Sequence, residues 1–398
     1  MTMPIRLTPE RPALVRLFGR GAAARRVDWP MVAAALALML VGSVLSWSAT
    51  AQQEINQGGN PHFYLDRQLV NAAIGVALGA AVTAVDYRRI RPYAIFIYGA
   101  AMLLLATVLT PIASTVNGAH SWIVLGGGLS VQPSEFTKPA VILLMAALLA
   151  DAVDARDAAV PTGRQLVAAL LVALVPAGII MAIHELGTAM VLGAIAIGVV
   201  AVAGMRARWL AAMAGVGAVV VFAAVQLHVL SQYQVDRFAA FADPRLDPSG
   251  VGYNAQQARI AIGSGGLLGA GLFHGSQTNG GYVPEQHTDF VFTVAGEEFG
   301  FVGGIVLIGL FGVVLWRALG IARHAGDRFG TLVAAGVVCW IAFEAFENIG
   351  MTLGIMPVAG IPLPLVSYGG SSMFATCIAL GLLQSVRIRA GSGHGSAR

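Results

Sequence analysis

VPEQHTDFVFTVAGEEFGFVG, from Val283 to Gly303, opens an apolar run that extends to residue 316. An α-helix needs about 20 residues to cross ~30 Å of hydrocarbon, so the run at 290–316 reads as a membrane-spanning helix. Its polar residues are out of place in a plain anchor. Glu285, His287 and Asp289 stand just before the run, and Glu297 and Glu298 lie inside it. Ionisable side chains are costly in a bilayer and face protein or water rather than lipid. The stretch therefore implies a helix that belongs to a bundle and carries polar groups for structure or for chemistry.

The rest of the chain has the same character. Of 398 residues, 57% are hydrophobic and 11% charged, against about 25% charged in soluble domains; the mean hydropathy is +0.75. Ten apolar runs follow one another, at 30–49, 68–85, 93–110, 138–151, 165–183, 186–204, 209–229, 290–316, 331–353 and 365–386. The predicted fold class is an all-α, multi-pass integral membrane protein of ten transmembrane helices. The short fourth run is expected to extend outward to Glu135. The basic stretch before Trp29 lacks an apolar core followed by a small-residue cleavage site, so the first run is expected to stay as helix one. With the N-terminus in the cytoplasm, 19 of the 24 basic residues fall on inner segments, which sets both termini inside. Residues 1–28 and 389–398 are then cytoplasmic tails expected to be disordered, 29–388 is the membrane domain, and 230–288 is a large extracytoplasmic loop between helices seven and eight. The pI near 9.3 reflects this topology and attraction to anionic membrane lipid; nothing suggests nucleic acid. Cys339 and Cys377 both lie in apolar runs and suggest neither a disulfide framework nor a metal site.

The outer segments hold the polar constellations. Asp289 has two readings. It is a helix-capping acid favoured by the helix dipole, or a partly desolvated carboxylate whose pKa rises toward that of a general base, with Glu285 pushing it further. In QPSEFTK, Gln132 to Lys138, Glu135 and Lys138 are three apart and share a helix face. They form a structural ion pair, or Lys138 offers a compact charge to a phosphate. Glu185, in the tight turn HELGT, reads as a water-accessible acid or a cap. Arg67, Arg237 and Arg259 are the other outer cations, and with Lys138 they would suit a diphosphate. The small residues of SYGGSS, Ser367 to Ser372, suit close helix packing or a polar cavity lining. Glu297 and Glu298 lie too deep for an outer-face substrate and are expected to hydrogen-bond between elements. Acidic outer residues would accept Mg²⁺ or Mn²⁺, but no spacing resembles a dedicated site.

NGAHSWIVLGGG, QPSEFTK, ELGTAMVL, DPSGVGYNAQQARIAIGSGG, VPEQHTDFVFTVAGEEFGFVG and NIGMTLGIMPVAGIPLPLVSYGGSS occur in this order. Together they resemble the SEDS family (shape, elongation, division and sporulation), which includes RodA, FtsW and SpoVE. IGSGG and LFHGSQTNG bring the pattern closer to RodA. The resemblance implies a ten-helix peptidoglycan glycosyltransferase in the cytoplasmic membrane of a bacterium. Such an enzyme polymerises lipid II at the outer face, releases undecaprenyl diphosphate and works with a class B penicillin-binding protein, a transpeptidase. It also implies that Asp289 is the essential acid and that Glu135, Lys138, Arg67, Glu185, Trp122, Arg259 and Ser367 serve substrate binding. Three positions depart from the family pattern: IHELGT stands where QPDLGT is usual, Ser121 where an Arg often precedes the Trp, and Ala270 where many members have Lys. A flippase for lipid-linked precursors and a scaffold for the transpeptidase are the other readings. Polar residues gathered at one level, with few cations across the membrane, argue against the flippase.

The topology is open to direct test in a cysteine-free background. Ser249→Cys is expected to react with an impermeant thiol reagent applied outside, and Ser392→Cys is not. The reverse labelling pattern would overturn the assignment.

Overall fold

The computed structural model describes residues 26–111, 113–116, 119–126, 129–154, 160–213, 215, 217, 237, 241 and 250–390. The run at 209–229 expected as helix seven, the first part of the large loop and both tails lie mostly outside them. The long helices are α1 (Trp29–Asn56), α2 (Phe63–Ala84), α3 (Ala94–Ala106), α4 (Pro133–Asp154), α5 (Gly163–Ala182), α6 (Leu186–Val202), α7 (Val251–Ser264), α8 (Val291–Glu298), α9 (Gly300–Arg323), α10 (Arg328–Leu353) and α11 (Gly370–Arg389). Eight segments of the described residues are long and apolar enough to cross a membrane: α1, α2, Tyr87–Leu109, Pro133–Asp151, α5, α9, α10 and α11. With 17 residues, α6 is a shorter apolar helix. The protein is a multi-pass membrane protein.

The packing follows from small residues. α2 lies along α11, where Gly75 and Gly79 face Cys377, and a Cβ at Gly381 would overlap the Gly79 carbonyl. Close backbone approach of this kind replaces the hydrophobic drive that lipid removes. α10 sits at the centre against α4, α6 and α9, with Gly336 against Ile142 of α4 and Val199 of α6. The arginine-rich end of the bundle is tied by ion pairs. Asp28 caps α1 through Met31 N–H (3.2 Å) and accepts from Arg317 of α9 at 2.7–3.1 Å. Asp327 caps α10 and accepts from Tyr87 (2.6 Å) and Arg88 (2.8 Å).

Two expectations are corrected. The fold is mostly helical but not all-α. A three-stranded antiparallel sheet, β1 (Ser114–Val116), β2 (Ala119–Gly126) and β3 (Leu129–Val131), fills the segment before α4. Its Gly-rich turns and alternating apolar residues favour hairpins over helix. The apolar run at 290–316 is also not one helix. It breaks between Glu298 and Gly300, where Gly300 takes φ +63°. A broken helix in a bilayer must find partners for its freed backbone groups, and the loop after α7 supplies them. Ala270 N–H donates to Glu297 O (2.9 Å) and Gly271 N–H to Glu298 O (3.0 Å); Phe301 N–H donates to Gly266 O (2.9 Å) and Val302 N–H to Leu267 O (3.1 Å). Gly269 (φ +84°) lies so close to the Glu298 carbonyl that a Cβ would overlap it.

Gly300→Ala is expected to lower stability by roughly 2 kcal/mol or more, since alanine pays a left-handed penalty and its Cβ would meet Gly269 N. Gly309→Ala in the open interior of α9 is the control and is expected to be neutral or stabilising by up to about 1 kcal/mol. Thermal unfolding in detergent reads both, and equal midpoints would remove the break from its structural role.

Candidate active site

The segment before α8 holds Asp289 by its backbone. Glu285, with φ +53°, accepts through its carbonyl from the N–H groups of Thr288, Asp289 and Phe290 at 3.1–3.2 Å. The next three carbonyls are held by other elements. Tyr368 N–H donates to His287 O (2.9 Å), the Ser367 hydroxyl to Thr288 O, and Asn348 Nδ2 of α10 to Asp289 O (2.7 Å) and Ile361 O (2.8 Å). α8 itself starts at Val291 after Phe290, with no side-chain cap. Asp289 therefore does not spend its carboxylate on capping, which removes the physical basis of that reading.

The Asp289 carboxyl points toward the loop between α10 and α11. A Cβ on Gly360 (φ +67°) would lie 3.3 Å from both Asp289 Oδ2 and Arg237 Nη2. Arg237 Nη1 donates to Ala359 O (3.0 Å). Glycine thus leaves space for an acid and a cation to approach the same point on the backbone. Burial pushes the Asp289 carboxyl up to about 7; the Glu285 charge adds to the rise and Arg237 opposes it. Burial also holds the His287 imidazole below its ordinary value, against the pull of Glu285.

Across the same loop lies the turn between α5 and α6. A Cβ on Gly187 would sit 2.9 Å from Ala359 O. Gln132 Nε2 donates to Glu185 Oε1 (2.8 Å), and Gln132 N–H donates to Ser371 Oγ (2.9 Å) at the start of α11. Burial raises the Glu185 carboxyl above its ordinary range, opposed by Ser121, Gln132 and Ser134 beside it. Glu185 is thus more enclosed than a water-accessible turn acid. The sheet carries Ser121 to this turn, and Trp122, the next residue of β2, is partly exposed and pairs with Ser114 of β1.

The other expected residues fall into distinct places. Lys138, the single lysine of the chain, has 0% exposure and is enclosed by Glu135 (2.7 Å), by Glu344 of α10 and by the Trp340 ring at 5.2 Å. It lies inside the bundle, where no diphosphate reaches its Nζ without a rearrangement. Ser367 is buried, accepts from Leu363 N–H (2.8 Å) and donates to Thr288 O, so it fixes the Asp289 segment. Arg67 stacks over Phe63 at 4.2 Å. Arg259 lies along Gly354 and lines a cleft with Phe241, Val251, Ala255, Met356 and Val358. Glu297 accepts from the N–H groups of Gln277 and Thr278 and from the Thr278 hydroxyl at 2.7–2.9 Å; Glu298 accepts from Phe273 N–H (3.1 Å) and the Ser48 hydroxyl. Both acids anchor the loop that repairs the helix break. Among the described residues, no three His, Cys, Asp or Glu side chains are placed to hold a metal ion.

Sequence reasoning missed Glu344, Asn348 and Gly360. An acid inside the apolar run at 331–353 was a usable signal for Glu344. Asn348 and Gly360 carry none without the fold.

Removing one partner of a buried ion cluster leaves uncompensated charge and costs about 3–5 kcal/mol. Lys138→Ala is therefore expected to destabilise the bundle by that amount in thermal or denaturant unfolding. A Lys138→Ala protein of parental stability with weakened substrate use would instead return this lysine to substrate binding.

Comparison with known proteins places these features in one family. The family described as cell cycle protein, which groups FtsW, RodA and SpoVE, matches residues 28–391. The probable peptidoglycan glycosyltransferase FtsW of Trichlorobacter lovleyi is 37% identical over 361 residues, covering 90% of this chain and 92% of the relative. The peptidoglycan glycosyltransferase MrdB of Escherichia coli K12 is 33% identical over 363 residues, covering 90% and 93%. Stage V sporulation protein E of Bacillus subtilis is 36% identical over 360 residues, covering 90% and 96%. Identities this similar do not rank one branch above another. Among solved structures, a chain of a peptidoglycan synthase complex that coordinates polymerization and crosslinking superposes with a TM-score of 0.75 at 32% identity, covering 92% of this chain and 98% of that one. RodA of Thermus thermophilus gives 0.66 at 31%, with the same coverage. The chain belongs to the SEDS family, the family of RodA, FtsW and SpoVE.

Proposed function

We propose that this chain is a peptidoglycan glycosyltransferase that polymerises lipid II at the outer face of the cytoplasmic membrane, with Asp289 as general base. Relatives that carry that activity in their names are 33–37% identical over nine-tenths of the chain. The observation that carries the residue assignment is the Asp289 carboxyl, pushed up to about 7 with Arg237 across Gly360. A base works best when its pKa lies near the working pH. Asp289 takes the proton of the acceptor 4-hydroxyl as its oxygen bonds to the donor anomeric carbon. The bond from that carbon to the diphosphate oxygen breaks, and undecaprenyl diphosphate leaves. Arg237, Arg67 and Arg259 are the outer cations that this reading assigns to the leaving group. Lys138 serves by holding α4 to α10 beneath the site.

In this reading the protein has ten transmembrane helices, cytoplasmic termini and an outer loop at 230–288. It works in cell elongation as RodA does, beside a class B penicillin-binding protein. IGSGG and LFHGSQTNG support elongation. The FtsW relatives at 35–37% identity equally favour a division role.

Polymerisation of lipid II by the purified protein with its transpeptidase tests the assignment. Asp289→Asn is expected to reduce the rate about 10²–10⁴-fold and to leave partner binding intact. Because a base acts deprotonated, the parental rate is expected to rise with pH through about 7 and then level off. Glu285→Gln removes a charge that raises the Asp289 pKa, so it shifts this rise to lower pH. An Asp289→Asn protein within a few fold of the parent would sink the assignment.

A further inference from the structure

Three aromatic rings meet at the segment that carries Asp289 and take no part in the proton transfer. Tyr64 comes from the first turn of α2, His287 lies two residues before Asp289, and Tyr368 lies just before α11. Tyr64 meets His287 at 5.1 Å between centroids and 68° between planes, and Tyr368 at 5.0 Å and 67°; His287 and Tyr368 are 5.6 Å apart at 52°. All three are partly exposed. The grouping is built by the fold. Tyr368 N–H bonds His287 O, and Gln68 of α2 donates to Ser367 O (3.1 Å) and accepts from Gly369 N–H (3.4 Å). Aromatic residues that mark a membrane interface ring the perimeter of a protein. These three instead converge from separate elements on the segment that holds Asp289. Among the described residues no hydrogen bond takes up their hydroxyls or imidazole nitrogens. Glu54, Glu285 and Arg67 all act on Tyr64 electrostatically, so charged groups lie near the rings.

We propose that Tyr64, His287 and Tyr368 form a saccharide subsite that seats a pyranose ring of the glycan substrate beside Asp289, an assignment that rests on the glycosyl-transfer reading. The C–H face of a pyranose is apolar and weakly positive at its hydrogens. An aromatic face is electron-rich, and its edge is positive. Rings whose polar tips no described residue takes up therefore offer a sugar both an aromatic surface and partners for its hydroxyls, the usual make-up of a pocket for an uncharged polar ligand. Burial lowers the His287 pKa against the pull of Glu285 and so disfavours the charged imidazole, which suits an uncharged ligand. The subsite distinguishes a lipid diphosphate that carries sugars from one that does not.

Binding measured in the Asp289→Asn chain, where turnover is suppressed, separates this subsite from the chemistry. The probes are lipid II and undecaprenyl diphosphate. Tyr64→Leu and Tyr368→Leu are each expected to weaken lipid II binding about tenfold and to leave undecaprenyl diphosphate within about twofold. Tyr64→Phe and Tyr368→Phe restore the ring and are expected to recover lipid II binding to within about threefold. The two tyrosines lie on different elements, so one folded leucine variant suffices for the comparison. Equal losses for both probes, or parental lipid II affinity in a folded leucine variant, would overturn the subsite while leaving the glycosyl-transfer reading standing. An Asp289→Asn chain that binds lipid II no better than undecaprenyl diphosphate would also overturn the subsite, whereas a parental chain that does not polymerise lipid II would overturn the glycosyl-transfer reading.

Discussion

The break between α8 and α9 is the constraint on which the outer half of this molecule depends. Lipid offers no hydrogen bonds, so an interrupted helix at membrane depth must satisfy its backbone within the protein. Counted at 1.5 Å per residue from Arg317, Glu298 lies about 28 Å along the chain, near the edge of a ~30 Å hydrocarbon layer. There the Gly265–Gly271 stretch closes the gap with four backbone hydrogen bonds. Glycine is required because the strands of backbone approach too closely for a Cβ at Gly269 or Gly300. Glu297 and Glu298 then fasten the following residues, Phe273 to Thr278. Acids that look expensive in an apolar run are thus consumed as anchors.

The break frees α8 from the direction of α9, and the residues before α8 are fixed by other parts of the bundle. Tyr368, Ser367 and Asn348 take the carbonyls of His287, Thr288 and Asp289 in turn. A side chain on a backbone held at three successive points loses little entropy on reaching a reactive geometry. The central α4–α10 contact supports this from below. One lysine holds a glutamate on each of the two helices, and such a cluster is better at fixing the register of two helices than at adding stability. The position of Asn348, one turn above Glu344 on α10, depends on that register.

Periodicity and composition made most of the bundle legible in the sequence. Eight of the expected runs contain helical segments long and apolar enough to cross a membrane, because twenty apolar residues have few other stable arrangements. Asp289 was legible as a candidate, since an acid at the edge of an apolar run is rare. The helix break was not, because Phe299-Gly300 interrupts no hydropathy and glycine is common in membrane helices. The small sheet was missed for a similar reason: its strands are three to eight residues long and lie in a segment dominated by glycine. Lys138 was misjudged in its surroundings. Its partner Glu344 is 206 residues away in the chain, and only the fold reveals that the charge is already met.

The same limit applies to how Asp289 obtains its pKa. Burial alone would push a carboxyl far up, and a direct ion pair with Arg237 would pull it well down. Gly360 sets the balance between them. Its bare backbone lets the guanidinium stand near enough to moderate the charge, while Arg237 Nη1 is engaged by the Ala359 carbonyl. Glu285 works in the opposite direction from the other side. A Cβ at position 360 would crowd both the acid and the cation and would strain a backbone held at φ +67°, so this glycine bears on the chemistry proposed here although it carries no functional group. In the proposed reaction this balance would let the acid gain a proton and return it to water near neutral pH, with the cation beside it for the departing diphosphate.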